Sequence, residues 1–154
     1  MAIALALHIL ATVVWVGGMF FAYMALRPVA ASLLEPPQRL SLWSQVFARF
    51  FPWVWMAVIL LLATGFWMVL SVFGGFAHVG LHVHLMMGLG LLMVLLYLHV
   101  FFAPYRRMKQ ALAANDLPEA GRRLAQIRVI IGINLTLGLI VTVIASAGRY
   151  YVGG

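Results

Sequence analysis

Four long apolar runs, separated by shorter polar segments, dominate the pattern of hydrophobic and polar positions along the chain. The runs cover residues 3–26, 51–73, 81–103 and 129–147, and each is close to the roughly 20 residues that a membrane-spanning helix needs. The first run lacks a basic leader and is longer than the about 7–15 apolar residues of a signal-peptide core, so we expect it to be retained. The pattern predicts an all-α integral membrane protein, a four-transmembrane-helix bundle that forms one membrane domain over residues 1–154.

The basic residues fall almost entirely into two of the three segments between these runs. Residues 27–50 contain three arginines, residues 104–128 contain five arginines and one lysine, and residues 74–80 contain neither. The first segment opens with Arg27 and Pro28, where a charge and a helix-breaking proline are expected to end the first span. Loops rich in lysine and arginine stay on the cytoplasmic side. We therefore expect both termini and the 74–80 loop to lie outside, in the periplasm.

Helical periodicity continues into both basic segments. Within residues 39–50, apolar side chains recur at helical spacing, which predicts a short amphipathic helix lying at the membrane interface. Asp116 precedes Pro118 and Glu119, an order typical of an N-terminal capping box. The fourth helix is therefore expected to begin in the cytoplasm and to run directly into the membrane.

The composition supports the membrane prediction and excludes several functions. Hydrophobic residues make up 66% of the chain and charged residues only 8%, whereas about a quarter of a soluble domain is charged. Because there is no cysteine, disulfides, thiolate nucleophiles and cysteine metal sites are excluded. The net charge of +7 lies in the inter-span segments, which does not favour a nucleic-acid partner. The expected partner is the lipid bilayer.

Five histidines are the candidate functional residues, because ionisable groups at membrane depth are costly and mostly face the interior of a bundle. In the predicted topology, His8, His78, His82 and His84 all lie near the outer surface, and His99 lies near the cytoplasmic end. His82 and His84 diverge by about 200° around a helix, so only one of them can face the core. The helical stripe that joins His84 to His99 favours His84 as the inward one.

Two cofactors fit these residues. Imidazoles from facing helices can ligate haem b axially, with His8 and His84 as the first choice and His82 and His99 as further cofactor-binding candidates. The same imidazoles together with thioethers can instead bind copper, because soft sulfur suits Cu(I). The candidate metal ligands are His8, His84, His82, His78, Met86, Met87 and Met68.

Six segments of the chain resemble the CopD-like (copper resistance protein D) family of bacterial inner-membrane proteins. They are LHILATVVWVGGMFF (7–21), RFFPWVWMAVILLLATGFWM (49–68), HVHLMMGLG (82–90), FFAPYRRM (101–108), NLTLG (134–138) and AGRY (147–150). The resemblance implies a multi-pass inner-membrane protein associated with copper uptake or resistance. The chain is also similar to HemJ-type four-helix haem membrane proteins, whose first-helix histidine matches His8. That similarity implies haem b and raises a haem-dependent oxidoreductase activity as one option.

Three functions therefore stay open at the level of the sequence. The first is a haem-b-binding inner-membrane protein with an electron-transfer or redox role and an unidentified redox partner. The alternative is a copper-binding protein of the CopD type, which receives copper from a donor for uptake or resistance. The third is a structural membrane subunit without a cofactor. The glycines of the fourth span also suit a homodimer.

Overall fold

The computed structural model describes residues 1–151, and these form helices joined by short connections. The helices are α1 (Ala2–Phe21), α2 (Arg27–Leu33), α3 (Pro36–Trp67), α4 (Leu81–Phe102), α5 (Pro104–Ala113) and α6 (Leu117–Tyr151). Two π-helical turns, Ala22–Leu26 and Met68–Val72, extend α1 and α3, and a 3-10 turn, Phe76–His78, precedes α4. The prediction that the C-terminus lies outside concerns residues 152–154, which are beyond the described range.

Four continuous helical stretches are long and apolar enough to cross a membrane, which confirms the predicted fold class. They are Ala2–Leu33, Pro36–Val72, Leu81–Ala113 and Leu117–Gly148. The stretches pack as two main pairs, α1 with α3 and α4 with α6, while α5 lies against α6. Large apolar side chains cover the outside of the bundle; Ile3 and Leu95, for example, are 78% and 62% exposed. Such a surface suits contact with lipid tails.

The helix of the first span does not break at Arg27 and Pro28, contrary to the expectation from the proline. A π turn carries the chain from α1 into α2, and the backbone N–H of Arg27 donates to the carbonyl oxygen of Ala22, five residues back. Pro28, which has no amide hydrogen to donate, follows directly after this π turn, and prolines and π turns are both positions at which a helix can bend without ending. The helix therefore continues to Leu33, well past the charged residue.

Residues 39–50 are helical as predicted, but they do not form a separate helix at the membrane interface. They are the first part of α3, which continues through Pro52 into the second span. Their apolar stripe is buried inside the protein, with Leu40, Trp43 and Phe47 only 5%, 6% and 3% exposed. An apolar stripe with aromatic residues suits a protein core as well as a lipid headgroup layer, so periodicity alone does not distinguish the two environments.

The start of α6 follows the predicted capping pattern in part. The backbone N–H of Glu119 donates to Oδ1 of Asp116 at 3.3 Å, which is one half of a capping box. The carboxylate of Glu119 does not return the bond to Asp116. It forms ion pairs with Arg122 and Arg123 instead, and these join successive turns of the helix.

Aromatic rings fill the middle of the bundle. Trp15 of α1 packs edge-to-face on Tyr97 of α4 with ring centroids 6.2 Å apart, and Tyr97 packs on Phe51 of α3 at 5.6 Å. Phe51 stacks in turn on Phe47 at 5.0 Å. The hydroxyl of Tyr97 donates to the carbonyl oxygen of Phe51 at 3.2 Å, so its buried polar group is satisfied. The void among these helices measures only about 20 Å³.

The neighbouring glycines Gly17 and Gly18 of α1 provide a matched test of this packing. A Cβ added to Gly18 would overlap the ring of Phe50, whereas one added to Gly17 would meet nothing within 4 Å. We expect Gly18→Ala to lower the free energy of unfolding by about 1–3 kcal/mol, the usual cost of overpacking. Gly17→Ala is expected to be neutral or stabilising, because alanine favours a helix by up to about 1 kcal/mol over glycine. Unfolding in mixed micelles, followed by circular dichroism, measures both; equal effects would contradict the α1–α3 contact.

Candidate functional site

A cavity of about 370 Å³ lies between α1, α3, α4 and α6. Its wall is formed by the first turns of α1 and α4 and by the last turns of α3 and α6, so it lies at the end of the bundle where α1 begins. His8 of α1 and His82 of α4 both line it. These residues are more than seventy positions apart in the sequence. Their position in the same cavity agrees with the similar depth that the topology predicts for them.

The other donor atoms around this cavity are thioether sulfurs. The methionines that line it are Met1, Met68, Met86, Met87 and Met93. Met93 is 4% exposed and lies deeper in the bundle than the others on α4, since it follows them along the helix. No carboxylate lines the cavity, because none of the chain's three acidic residues contributes to its wall. The cavity, referred to below as the His–Met cavity, is thus lined by soft and intermediate donors.

His8 is held by a hydrogen bond to α3. Its Nδ1 lies 2.8 Å from the hydroxyl oxygen of Thr64, and that hydroxyl lies 2.5 Å from the carbonyl oxygen of Leu60. A carbonyl oxygen only accepts, so the single proton of the Thr64 hydroxyl is donated to Leu60. Nδ1–H of His8 must then donate to Thr64, which leaves the lone pair of Nε2 free. This is the arrangement typical of a metal-ligating histidine, whose other nitrogen donates to a fixed acceptor.

Gly65 gives the ring of His8 its space. A Cβ at this position would lie 3.4 Å from Cε1 of His8, in van der Waals contact with the imidazole. Thr64 is 8% exposed and therefore presents its hydroxyl from a rigid, buried position. Neither Thr64 nor Gly65 was expected from the sequence to take part in the site. A lone threonine beside glycine in an otherwise apolar span was the available signal, because polar groups in a membrane interior need a partner.

The prediction that His84 rather than His82 faces the core was wrong. His84 is exposed, and its Nδ1–H donates to the carbonyl oxygen of Gly80 at 3.1 Å. His82 shares a face of α4 with Met86 and Met93, all of which line the cavity. One of the two histidines does face inward, as the spacing requires.

The remaining predicted histidines lie elsewhere. His78 is exposed in the 3-10 turn before α4 and does not line the His–Met cavity. His99 lies in the last turn of α4 beside Arg107 and Arg123, on a separate, shallow surface. Within residues 1–151, no three histidine or acidic side chains come together as a metal-binding group. The predicted methionines Met68, Met86 and Met87 do line the cavity with His8 and His82.

The donor set of the cavity determines which chemistry it suits. Two imidazoles with several thioethers favour Cu(I), whereas Mg²⁺ and Ca²⁺ are usually bound by the carboxylates of acidic side chains, and no Asp or Glu lines this wall. For haem b, the expected axial pair was His8 and His84. These two do not line one cavity, but His8 does line it together with His82, so a haem would take His82 rather than His84 as its second ligand.

The sequence matches a known protein-family model. A family model for copper resistance protein D, CopD, matches residues 44–147, which include His78, His82, His84 and His99 but not α1 with His8. Neither the curated proteins nor the solved structures give a match. The similarity to HemJ-type proteins therefore gains no support and stays a prediction. With a match over about two thirds of its length and four spanning helices, the chain belongs to the CopD family of multi-pass inner-membrane proteins.

Proposed function

We propose that this protein binds Cu(I) in the His–Met cavity and acts in copper uptake or copper resistance at the inner membrane. The observation that supports this most is the shared lining of one cavity by two histidines and five methionines. The membership of the CopD family points in the same direction. His8 and His82 are the proposed nitrogen ligands, with thioether sulfur supplied by Met68, Met86 or Met87.

The physical case for Cu(I) rests on charge as well as softness. A monovalent ion with neutral ligands leaves a single positive charge in the site, which costs less to desolvate than a divalent ion would. Imidazole and thioether are both neutral, and they are the ligands that soft Cu(I) accepts. The aromatic ring of Trp15 also lines the cavity, and ring faces attract cations.

The side of the membrane follows from the basic loops. The segments that contain nine of the ten lysines and arginines join α1 to α3 and α4 to α6, at the end opposite the His–Met cavity. By the positive-inside rule we place that basic end in the cytoplasm. The cavity then opens toward the periplasm, and the proposed copper donor is a periplasmic one.

Titration of the detergent-purified protein with Cu(I) against a chromogenic chelator tests this proposal. We expect a stoichiometric, colourless copper complex, and we expect His8→Ala to lose it because that change removes one of only two imidazoles in the cavity. X-ray absorption at the copper edge should show both nitrogen and sulfur scatterers. A purified protein with stoichiometric iron and a Soret band would replace copper by haem. A protein that retains neither metal after supplementation would leave only the structural role.

A further inference from the structure

A second cavity, of about 460 Å³, lies at the opposite end of the bundle from the His–Met cavity. It is enclosed by the π turn after α1, by α2, and by the first turns of α3 and α6. Three arginines line it, one from each of α2, α3 and α6: Arg27, Arg39 and Arg128. We refer to it as the arginine cavity. None of the proposed copper ligands lines the arginine cavity.

No acidic side chain neutralises these arginines within the cavity. The chain has three acidic residues, Glu35, Asp116 and Glu119, and none of them lines the wall. Glu119 is paired with Arg122 and Arg123 outside it. Glu35 and Asp116 precede the helices whose first turns contribute to the wall. Three cations therefore face a common space in which their positive charge is uncompensated.

One buried guanidinium donor in the wall of the cavity has no acceptor among residues 1–151. Arg39 donates through one terminal nitrogen to the carbonyl oxygens of Ala31 and Leu34, but its Nε is buried and has no hydrogen-bond partner among residues 1–151. Arg27 lies over the ring of Tyr23 at 4.2 Å and donates only its Nε–H, to a backbone oxygen. A buried donor without an acceptor is costly, so this cavity is suited to a ligand that accepts hydrogen bonds and carries negative charge.

The backbone adds to the positive potential. The helices α3 and α6 both begin at this cavity, with Pro36 and Leu117 in its wall. Helix N-termini carry a partial positive charge and favour anions. The donors for a phosphate are nevertheless the three arginines, because Pro36, Pro37 and Pro118 have no N–H and the N–H of Glu119 is donated to Asp116.

The rest of the wall is apolar. Leu40, Trp43, Leu124 and Ile131 line the cavity together with the arginines. A free inorganic anion gains nothing from such a wall, whereas an amphiphile does, because burial of hydrocarbon is favourable. We propose that the arginine cavity binds an acidic phospholipid, with its phosphate held by Arg27, Arg39 and Arg128 and one acyl chain against the apolar wall.

Native mass spectrometry of the full chain, delipidated in neutral detergent and titrated with dioleoyl phosphatidylglycerol, tests this inference. We expect the first molecule of phosphatidylglycerol to bind more tightly than further molecules of the same lipid. We also expect it to bind more tightly than dioleoyl phosphatidylcholine. R128Q is the principal variant, because Arg128 is exposed and makes no hydrogen bond within the described chain. Loss of its charge-assisted bonds to the phosphate should weaken phosphatidylglycerol binding by about tenfold or more. R39Q should act in the same direction, although it also removes the contacts to Ala31 and Leu34.

R106Q is the matched control, since it removes the same charge from an exposed residue of α5 that lines neither cavity. It should leave phosphatidylglycerol affinity unchanged. Equal losses in R106Q and R128Q would overturn the inference, because the attraction would then be a general surface effect. Equal affinity for phosphatidylcholine, or displacement of the lipid by millimolar inorganic phosphate, would likewise overturn the assignment to an acidic phospholipid. Cu(I) titration of the same variants should be unaffected, so failure here is separable from failure of the copper proposal.

Discussion

His82→Ala is expected to abolish stoichiometric Cu(I) binding, while His84→Ala leaves it intact. The two residues are the same type, two positions apart, at nearly the same depth in the membrane. His82 lines the His–Met cavity, whereas His84 is exposed and donates to the oxygen of Gly80. Because the cavity has only one other imidazole, loss of His82 removes half of its nitrogen donors. Copper retained after desalting, measured by mass spectrometry for both variants, gives the comparison.

The pair is informative because each variant controls for the other. Both changes delete an imidazole near the start of α4, so effects on membrane insertion or on overall polarity should be similar. Loss of copper in both variants would indicate a different arrangement of α4, with both histidines near the metal. Loss in His84→Ala alone would restore the original prediction from the sequence and overturn the site proposed here.

Thr64→Val should weaken Cu(I) affinity by about 10–100-fold, the usual effect of removing the partner that orients a ligating histidine. Valine has nearly the shape of threonine but cannot accept the bond from Nδ1–H of His8. The imidazole would then be free to rotate or to change tautomer, so Nε2 would no longer be fixed as the ligand. A competition titration with a Cu(I) chelator measures the change.

Two further variants separate this effect from a general loss of packing. Thr12→Val makes the same chemical change within the same cavity, but the Thr12 hydroxyl contacts only the backbone oxygen of His8, so affinity should stay unchanged. Thr64→Ser keeps the hydroxyl and should retain most of the affinity. If Thr12→Val and Thr64→Val weakened binding equally, the orienting role of Thr64 would be contradicted.

Much of the fold was predictable because the membrane imposes strong constraints on the sequence. Runs of about 20 apolar residues leave few choices other than a spanning helix, since unpaired backbone groups are not tolerated in lipid. The boundaries were less predictable. From the sequence, we expected the first span to end at Pro28 and residues 39–50 to form a surface helix. Both lie within continuous helices. A π turn carries the helix past Pro28, and packing against other helices buries the apolar side of residues 39–50. Neither feature can be recognised from the neighbouring residues in the sequence.

The site was predictable in depth but not in direction around the helix. Positive charge in the loops indicated that His8 and His82 lie near one surface, and both line the His–Met cavity. The direction of α4 was harder, because in a membrane helix the lipid-facing and protein-facing sides are both apolar. The stripe chosen for His84 contains Leu95, which is 62% exposed. The stripe through His82 carries Met86 and Met93, whose sulfurs would have been the better guide.

The aromatic packing in the middle of the bundle determines the route that an ion can take. Trp15, Tyr97, Phe51 and Phe47 occupy the space between the His–Met cavity and the arginine cavity, and the void beside them has room for about one water molecule. In this conformation the packed rings separate the His–Met cavity from the arginine cavity. If copper binds as proposed, an ion in the His–Met cavity would reach the arginine cavity only after these aromatic rings move apart.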